Sequence, residues 1–284
     1  MFGASKQAYY KHSEDCLEKA SHVRFIVEYV QSIRAIDKSI GGEKLWYMYR
    51  EYFAEKRSLG RDSFAKVLSQ YGLTLRRAKK GCRTTNSEHG FPLYPDLIKE
   101  LAIVRPNQVW VSDITYIRLL IGFCYLSLIT DAYTHEIIGY YVGPTLETVH
   151  TLKALRQAFQ RLSTPAQKVI HHSDRGVQYA SFLYVNKLKE QGIKISMTQN
   201  GDPKENAIAE RVNGILKQEF LDHYEFATIE EVRQAVQIAV SFYNTQRPHR
   251  SIDMLTPEKA ALRVGVLPKR WVCYKDKYMQ NSQL

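Results

Sequence analysis

The stretch VIHHSDRGVQYASFLYVNKLKEQGIKISMTQNGDPKENAIAE, residues 169–210, decides the fold of this chain. A short apolar run leads into Asp174, which is typical of a strand that ends at a polar site. Glu210 lies at the other end, in a segment with helical periodicity. The 35 residues 175–209 separate these two carboxylates. A strand end and a helix therefore each present one acid.

A third carboxylate, Asp113, lies upstream in QVWVSDITYI, residues 108–117. This run alternates β-branched and aromatic residues with polar ones and so predicts a strand. Together with nearby His, Ser and Asn side chains, and without a Cys pair, the three acids form an oxygen-rich set of ligands. Hard divalent ions such as Mg²⁺ or Mn²⁺ prefer such ligands. We therefore predict that Asp113, Asp174 and Glu210 are catalytic and hold two metal ions, with Asp113 shared between them.

Outward from this stretch, the hydrophobic period changes from 3.6 to 2 near Gln108, which marks a new domain. Short connections favour an antiparallel meander of the first three strands. The predicted strands cover 109–117, 123–130, 137–142, 169–172 and 193–198; the predicted helices cover 147–162, 181–191, 203–220, 228–243 and a short segment opened by Thr256 and Pro257. Hairpin-joined strands followed by alternating helix and strand predict an α/β fold, a mixed sheet flanked by helices.

Residues 1–80 are predicted to form a small all-α domain. Its predicted helices are a short piece at 3–11, one from Ser21 to Gly41, one that begins near Glu43, and one over 64–71 that Gly72 can cap. The last two helices and the basic run over 76–80 suggest a helix-turn-helix module. The pattern alone fits equally well a small helical bundle whose charges are solvated. We predict a linker over 81–107, a core over 108–265 and a tail over 266–284.

The composition indicates a globular protein that acts on a polyanion. Of 284 residues, 44% are hydrophobic, and the formal net charge is +11. Residues 1–93 carry 17 Lys and Arg against 10 Asp and Glu, so the basic excess is densest there. Such a charge favours nucleic acid as the partner. The four cysteines have no CxxC spacing, and no signal peptide or membrane-spanning run is evident, which predicts a soluble cytoplasmic protein.

Four stretches of the chain resemble a known family, the retroviral-integrase-like DDE transposases of bacterial insertion sequences. They are Trp110-Val-Ser-Asp113-Ile-Thr-Tyr116, His171-His-Ser-Asp174-Arg-Gly176, Asn206-Ala-Ile-Ala-Glu210-Arg211 and Phe242-Tyr-Asn-Thr-Gln-Arg-Pro-His249. The resemblance is closest to the second-frame, OrfB-type proteins of the IS-three family, whose two aspartates and glutamate show the same final spacing. Residues 199–203 depart from the family, where many members have a Ser-Arg-Lys-Gly-like loop.

The resemblance implies a ribonuclease-H-like core and a DNA strand transferase. Water would first free a 3′ hydroxyl at an element end, and that hydroxyl would then attack target DNA. The implied partners are DNA, as terminal inverted repeats and target, further copies of the chain in a homo-oligomer, and an upstream first-frame protein, separate or fused. The implied location is the bacterial nucleoid. Two alternatives stay open, a ribonuclease-H-like nuclease that only hydrolyses and a non-catalytic DNA-binding protein.

The resemblance also favours DNA binding by the N-terminal helices. The last of them, predicted over 64–71, would together with the residues just before it present Arg61, Ser63, Lys66, Ser69 and Gln70 outward. The candidate DNA contacts are Arg61, Lys66, Arg76, Arg77, Lys79, Lys80, Arg211, Lys217, Arg247, His249 and Arg250. The last three would contact phosphate or support the active site. Because neighbouring residues of a strand point to opposite faces, at most one of His171 and His172 faces the acids, and we predict a supporting or structural role for both. The chemistry requires no protein nucleophile.

Overall fold

A computed structural model describes residues 6–53, 58–75, 90–162, 169–199 and 203–270. The chain divides into two compact units, residues 1–79 and 80–284. Among the described residues, no helix has the length and apolarity needed to cross a bilayer.

The N-terminal unit is helical, as the sequence predicts. Its helices are α1 (Lys6–Ile36), α2 (Gly42–Phe53) and α3 (Arg61–Gln70). The helices meet through buried apolar side chains, which include Ile26, Val30, Leu45, Tyr49, Phe64 and Leu68. The predicted break near Ser21 is wrong, because α1 continues through it. The Ser21 hydroxyl donates to the carbonyl of Glu18 at 2.8 Å, within the helix, so it does not cap a new one.

Helix α3 has one buried and one exposed side. Phe64, Val67 and Leu68 are buried. All five residues predicted to face outward are exposed, namely Arg61, Ser63, Lys66, Ser69 and Gln70. The helix ends at Gln70, one residue before the predicted end, and Gly72 has the φ of 66° that a glycine after a helix adopts without strain.

A five-stranded mixed sheet forms the centre of the second unit. Its strands are β1 (Val109–Arg118), β2 (Phe123–Asp131), β3 (Ile137–Gly143), β4 (Ile170–Ser173) and β5 (Lys194–Met197). They lie in the order β3-β2-β1-β4-β5. Antiparallel pairing joins β1, β2 and β3, whereas β4 is parallel to β1 and β5 is parallel to β4. Each strand lies within two residues of its predicted bounds, and the meander prediction is confirmed.

Helices cover the sheet. They are α4 (Thr148–Phe159), α5 (Val177–Ala180), α6 (Phe182–Glu190), α7 (Ala207–Ile215), α8 (Ile229–Thr245) and α9 (Pro257–Ala260). Trp110 of β1 packs in one cluster with buried residues of α4, α5 and α6. Val109 and Val111 instead pack with Ala209 of α7. Since neighbouring strand residues point to opposite faces, the helices cover both. The predicted ribonuclease-H-like arrangement is confirmed.

Three features differ from the sequence predictions. The helix predicted over 181–191 is preceded by the short α5. The helix predicted to run to residue 220 becomes a π-helical turn over Leu216–Leu221. Residues 90–107 are no free linker, because Phe91, Tyr94 and Ile98 pack against the sheet. Apolar side chains spaced among polar ones account for that packing, whereas the Thr, Asn and Ser residues that suggested a linker lie earlier, at 84–87.

Candidate active site

Parallel pairing of β1 and β4 brings two of the three acids together. Ser112 of β1 lies opposite Ser173 of β4 in the register. Asp113 follows Ser112 in the middle of β1, and Asp174 follows Ser173 directly where β4 ends. The two aspartates are therefore neighbours at the carboxyl end of β4, where open α/β sheets commonly place functional side chains.

Helix α7 carries the third acid and is bonded to β1 at two points. The Asn206 amide, just before the helix, donates to the carbonyl of Ser112 at 3.0 Å. The Asn213 amide donates to Oδ2 of Asp113 at 2.8 Å. Glu210 lies one turn before Asn213, and residues three apart share one side of a helix. The bonds that place Asn213 on Asp113 therefore also turn the side of α7 that carries Glu210 toward the aspartates.

The electrostatics of Asp113 show that the three carboxylates interact. Burial raises the pKa of Asp113 to about 7, and the negative charge of Asp174 adds to that shift. Hydrogen bonds from Asn213 and from the backbone N–H of Ile114 oppose it, while Glu210 raises the pKa further. Three carboxylates with partial burial repel one another unless a proton or a cation compensates them.

Local hydrogen bonds orient both aspartates. Oδ1 of Asp113 accepts from the N–H of Ile114 at 2.9 Å, and Oδ1 of Asp174 accepts from the N–H of Gly176 at 3.0 Å. A Cβ at position 176 would lie 2.9 Å from that same oxygen. Glycine after Asp174-Arg175 therefore leaves the carboxylate room to turn back onto the chain. Asp113 and Asp174 are half-buried, and Glu210 is exposed.

The donor set fits a hard divalent ion, although the acids alone do not enclose one. Among the described residues, no three His, Cys, Asp or Glu side chains are arranged to hold a metal ion by themselves. Mg²⁺ is commonly bound through one or two carboxylates, with waters and substrate phosphate oxygens as its other ligands. Oδ1 of Asn213 is buried and has no hydrogen-bond partner. The adjacent pair Asp113 and Asp174 therefore suits an ion whose remaining ligands come from water, DNA and Glu210.

Both histidines beside Asp174 are buried and structural. His171 Nε2 lies 2.7 Å from the Ser112 hydroxyl and 3.0 Å from the Tyr184 hydroxyl. His172 lies 2.8 Å from the Ser196 hydroxyl through Nδ1 and contacts the carbonyl of Glu205 through Nε2 at 3.1 Å. Their partners lie on different elements, as strand alternation predicts. Ser112 and His171 resemble a nucleophile and base, but both side chains are buried in the core.

The candidate DNA contacts fall into three groups. Arg61, Lys66, Arg211 and Arg250 are exposed, and Lys217 is half-buried, with its ammonium 4.0 Å from the centre of the Tyr116 ring. Arg247 and His249 are buried, with 1% and 4% of their surfaces exposed. Other protein groups enclose both side chains in this structure, which favours the second predicted role, support of the active site, over contact with phosphate. The basic run Arg76, Arg77, Lys79 and Lys80 lies outside the described residues.

Sequence reasoning missed the two asparagines that bond α7 to β1. Asn213 is three residues after Glu210, so helical spacing identifies its side of the helix but not its partner on Asp113. Asn206 belongs to the stretch Asn206 to Arg211 that begins at the helix start. A buried amide on a helix that carries a candidate ligand is the signal that points to such a role.

Comparison with known proteins gives consistent matches. Two models described as an integrase core domain match residues 104–203 and 191–257. The insertion element IS600 uncharacterized 31 kDa protein of Shigella sonnei is 34% identical over 90% of this chain and 94% of its own length. The transposase for insertion sequence element IS629 of the same species is 31% identical over 78% and 74%. The HTLV-2 integrase catalytic core domain in complex with magnesium is 18% identical, with a TM-score of 0.44, over 55% of this chain and 97% of that one.

Proposed function

The chain belongs to the integrase-core transposases of insertion sequences, and we propose that Asp113, Asp174 and Glu210 are the carboxylates with which it cuts element ends and joins them to target DNA. Membership of this family makes the chain an enzyme of the DDE transposase and integrase type. The observation that carries the assignment is geometric, since the register of β1 and β4 sets Asp113 beside Asp174, and Asn213, one turn after Glu210 on α7, bonds to Asp113. Those acids come from a neighbouring strand end and from a helix, so they meet only in the folded chain.

Two Mg²⁺ or Mn²⁺ ions are the cofactor proposed for these acids. Asp113 would be shared, Asp174 would serve one ion and Glu210 the other. Ions bound there would activate the attacking oxygen and neutralise charge on the phosphoryl group and the leaving oxygen. The negative charges of Asp174 and Glu210 add to the effect of burial on the pKa of Asp113, and they support this assignment because a bound cation would offset that part of the shift.

The protein's own side chains would hold the acids in place during both steps. Asn213 and the N–H of Ile114 each bind one oxygen of Asp113, so the carboxylate keeps one orientation. Glu210 is exposed on the first turn of α7 and would face incoming DNA. In the first step a water oxygen attacks the phosphorus and the bond to the 3′ oxygen breaks, which leaves a 3′ hydroxyl. In the second step that hydroxyl attacks a target phosphodiester, whose own 3′ oxygen leaves. Neither step needs a covalent protein intermediate.

DNA at the element ends and at the target would be held by basic side chains of both units. The N-terminal helical unit would bind duplex DNA through Arg61 and Lys66 of α3 and through the basic run over 76–80. Arg211, Lys217 and Arg250 would contact backbone phosphates in the core. The enzyme would act as a homo-oligomer that holds two ends, together with a first-frame protein, separate or fused.

Strand transfer separates this proposal from the hydrolase alternative. We would supply the full chain, with its first-frame partner added or fused, a pre-cut element end bearing a 3′ hydroxyl, a target plasmid and Mg²⁺. We expect covalently joined end and target, which denaturing gel electrophoresis detects. Asp113→Asn, Asp174→Asn and Glu210→Gln should each abolish joining, whereas the exposed control Glu225→Gln should not.

Two results would contradict the proposal. If the complete mixture nicks DNA in a manner that depends on the three acids and never joins it, the chain is a nuclease under these conditions. If any one of the three acid variants joins DNA at the rate of the Glu225→Gln control, that residue is not a ligand.

A further inference from the structure

Arg247 forms an ion pair in the interior of the second unit. Its guanidinium donates from Nε to Oε2 of Glu219 and from Nη2 to Oε1, both at 2.7 Å. This two-point geometry fixes the direction of both side chains as well as their separation. The Glu219 side chain is 13% exposed and that of Arg247 is 1% exposed, so the pair lies almost completely away from solvent.

Burial of this pair does not by itself explain its presence. Removing charges from water costs about as much as the pair regains, so apolar residues of similar size often stabilise a protein equally well. What an apolar pair cannot reproduce is a fixed angle between two chain segments. The question is therefore which segments Arg247 and Glu219 orient.

Glu219 belongs to the π-helical turn that continues α7. This turn covers Leu216–Leu221, and within it the N–H of Asp222 donates to the carbonyl of Lys217, five residues back, at 2.7 Å. A π-turn holds one residue more than an α-helical turn and is found most often at functional sites. Each residue of an α-helix adds about 100° of rotation. The orientation of the turn therefore sets the rotation of α7 about its axis.

The other member of the pair, Arg247, is held at the end of α8. Its N–H donates to the carbonyl of Phe242 at 3.0 Å at the end of α8. One turn earlier, the Asn244 amide exchanges two hydrogen bonds of 3.0 Å with the backbone of Ile137 in β3. These bonds fix the position of Arg247 relative to the sheet. The ion pair with Glu219 in turn fixes the end of α7 relative to Arg247.

We infer that Arg247 and Glu219 are a positioning pair, which sets the rotation of α7 so that Asn213 and Glu210 face Asp113. The inference rests on the proposed function only in giving Glu210 a role as ligand. Arg247 acts through the helix and contacts neither DNA nor metal. The stretch Phe242 to His249 is then needed for the geometry of the acids, although it lies after them in the chain.

A coupling experiment without metal or DNA tests the orientation of α7. Asn213→Ala removes the bond to Asp113 and should lower Tm of the full chain in chelator by roughly 5 °C. If the pair sets the rotation of α7, the helix turns in a chain that carries Arg247→Met together with Glu219→Leu. The bond from Asn213 to Asp113 is then already lost. Asn213→Ala should then lower Tm by less than half as much. An equal loss of Tm in both backgrounds overturns the inference.

Metal binding supplies a second readout. Mn²⁺ alone, titrated into the full chain, should bind about tenfold more weakly to the Arg247→Met and Glu219→Leu variant, as is typical when support for a ligand is lost. The matched control replaces the exposed pair Lys187 and Glu190 of α6 by Met and Leu, and its Mn²⁺ affinity should stay unchanged. Unchanged affinity in both variants overturns the inference. If Glu210→Gln also leaves Mn²⁺ affinity unchanged, the ligand assignment fails instead, and the metal-free coupling still decides on the pair.

Arg247→Lys covers the case in which the apolar variant does not fold. It keeps the buried charge but loses the two-point geometry. Asn213→Ala should lower Tm by less in the Arg247→Lys background than in the unsubstituted chain, and an equal loss of Tm in both overturns the inference. Binding of duplex DNA in chelator should be equal in all these variants, because the pair lies away from the surface.

Discussion

Replacing Asp113 by asparagine should make the metal-free protein more stable above pH 7. The folded-state pKa of Asp113 is about 7, against an ordinary value of 3.8, because burial and the nearby Asp174 disfavour the charged form. A carboxyl group with a raised pKa contributes its stability in the protonated form, which is fully present below pH 3.8. That contribution is lost as the pH rises through 7. Asparagine carries no charge at any of these values and avoids the loss.

The magnitude follows from the two pKa values. At 1.36 kcal/mol per pH unit, the difference corresponds to a ceiling of about 4 kcal/mol. Water reaches this half-buried carboxylate, so we expect about half of that ceiling, about 2 kcal/mol. For a unit of this size such a difference shifts Tm by roughly 5 °C. The Asn213 amide can turn so that its buried Oδ1 accepts from the new amide, which preserves the contact.

Thermal unfolding of both proteins in chelator at pH 4 and pH 8 measures the effect. We expect similar Tm values at pH 4 and a higher Tm for Asp113→Asn at pH 8. Adding Mn²⁺ at pH 8 should raise the Tm of the unsubstituted protein and not that of the variant, because the ion replaces the proton as the compensating charge. Parallel pH profiles of the two proteins, with no crossing or divergence, would refute the reasoning.

Three further predictions follow from single contacts. Glu219→Leu alone should lower the free energy of unfolding by roughly 3–5 kcal/mol in urea titrations, because it removes the carboxylate that pairs with the buried Arg247 guanidinium; a loss below about 1 kcal/mol would contradict the observed burial. Gly139→Ala should destabilise the core by more than about 2 kcal/mol, since its Cβ would lie 2.2 Å from the carbonyl of Ala154 in α4, whereas the control Gly41→Ala meets nothing within 4 Å. Arg61→Ala and Lys66→Ala should each reduce the slope of log affinity for duplex DNA against log salt concentration by about one. An unchanged slope would remove α3 from the DNA interface.

Local patterns predict the sheet and the elements that carry the three acids. Alternation of β-branched and aromatic residues with polar ones identifies β1, since successive side chains of a strand point to opposite faces. The order of three hairpin strands followed by helix and strand limits the topology to few arrangements, because short connections join neighbours and parallel strands need a crossover. Asp174 follows directly where an apolar run ends, so its position at a strand end is readable from the sequence.

Contacts between distant segments are not readable in the same way. Arg247 lies in a polar stretch that resembles a surface loop, and its partner Glu219 is 28 residues earlier. Charge and polarity alone favour exposure of such residues. Arg247 and Glu219 become buried only because the end of α8 lies against the π-turn in the folded chain. The π-turn itself leaves no mark in the hydrophobic period, because Leu216, Phe220 and Leu221 fit a continuous helix as well.

Convergence of three carboxylates opposes folding, so other residues must supply what holds them together. Backbone pairing of β1 with β4 brings the two aspartates side by side, at positions that repulsion alone would separate. Asn206 and Asn213 bond α7 to β1 and thereby bring the third acid near. Arg247 fixes the far end of that helix. A site that gathers like charges therefore depends on neutral amides near the acids and on an ion pair placed away from them. Variants of these supports should lose metal affinity although every ligand is present.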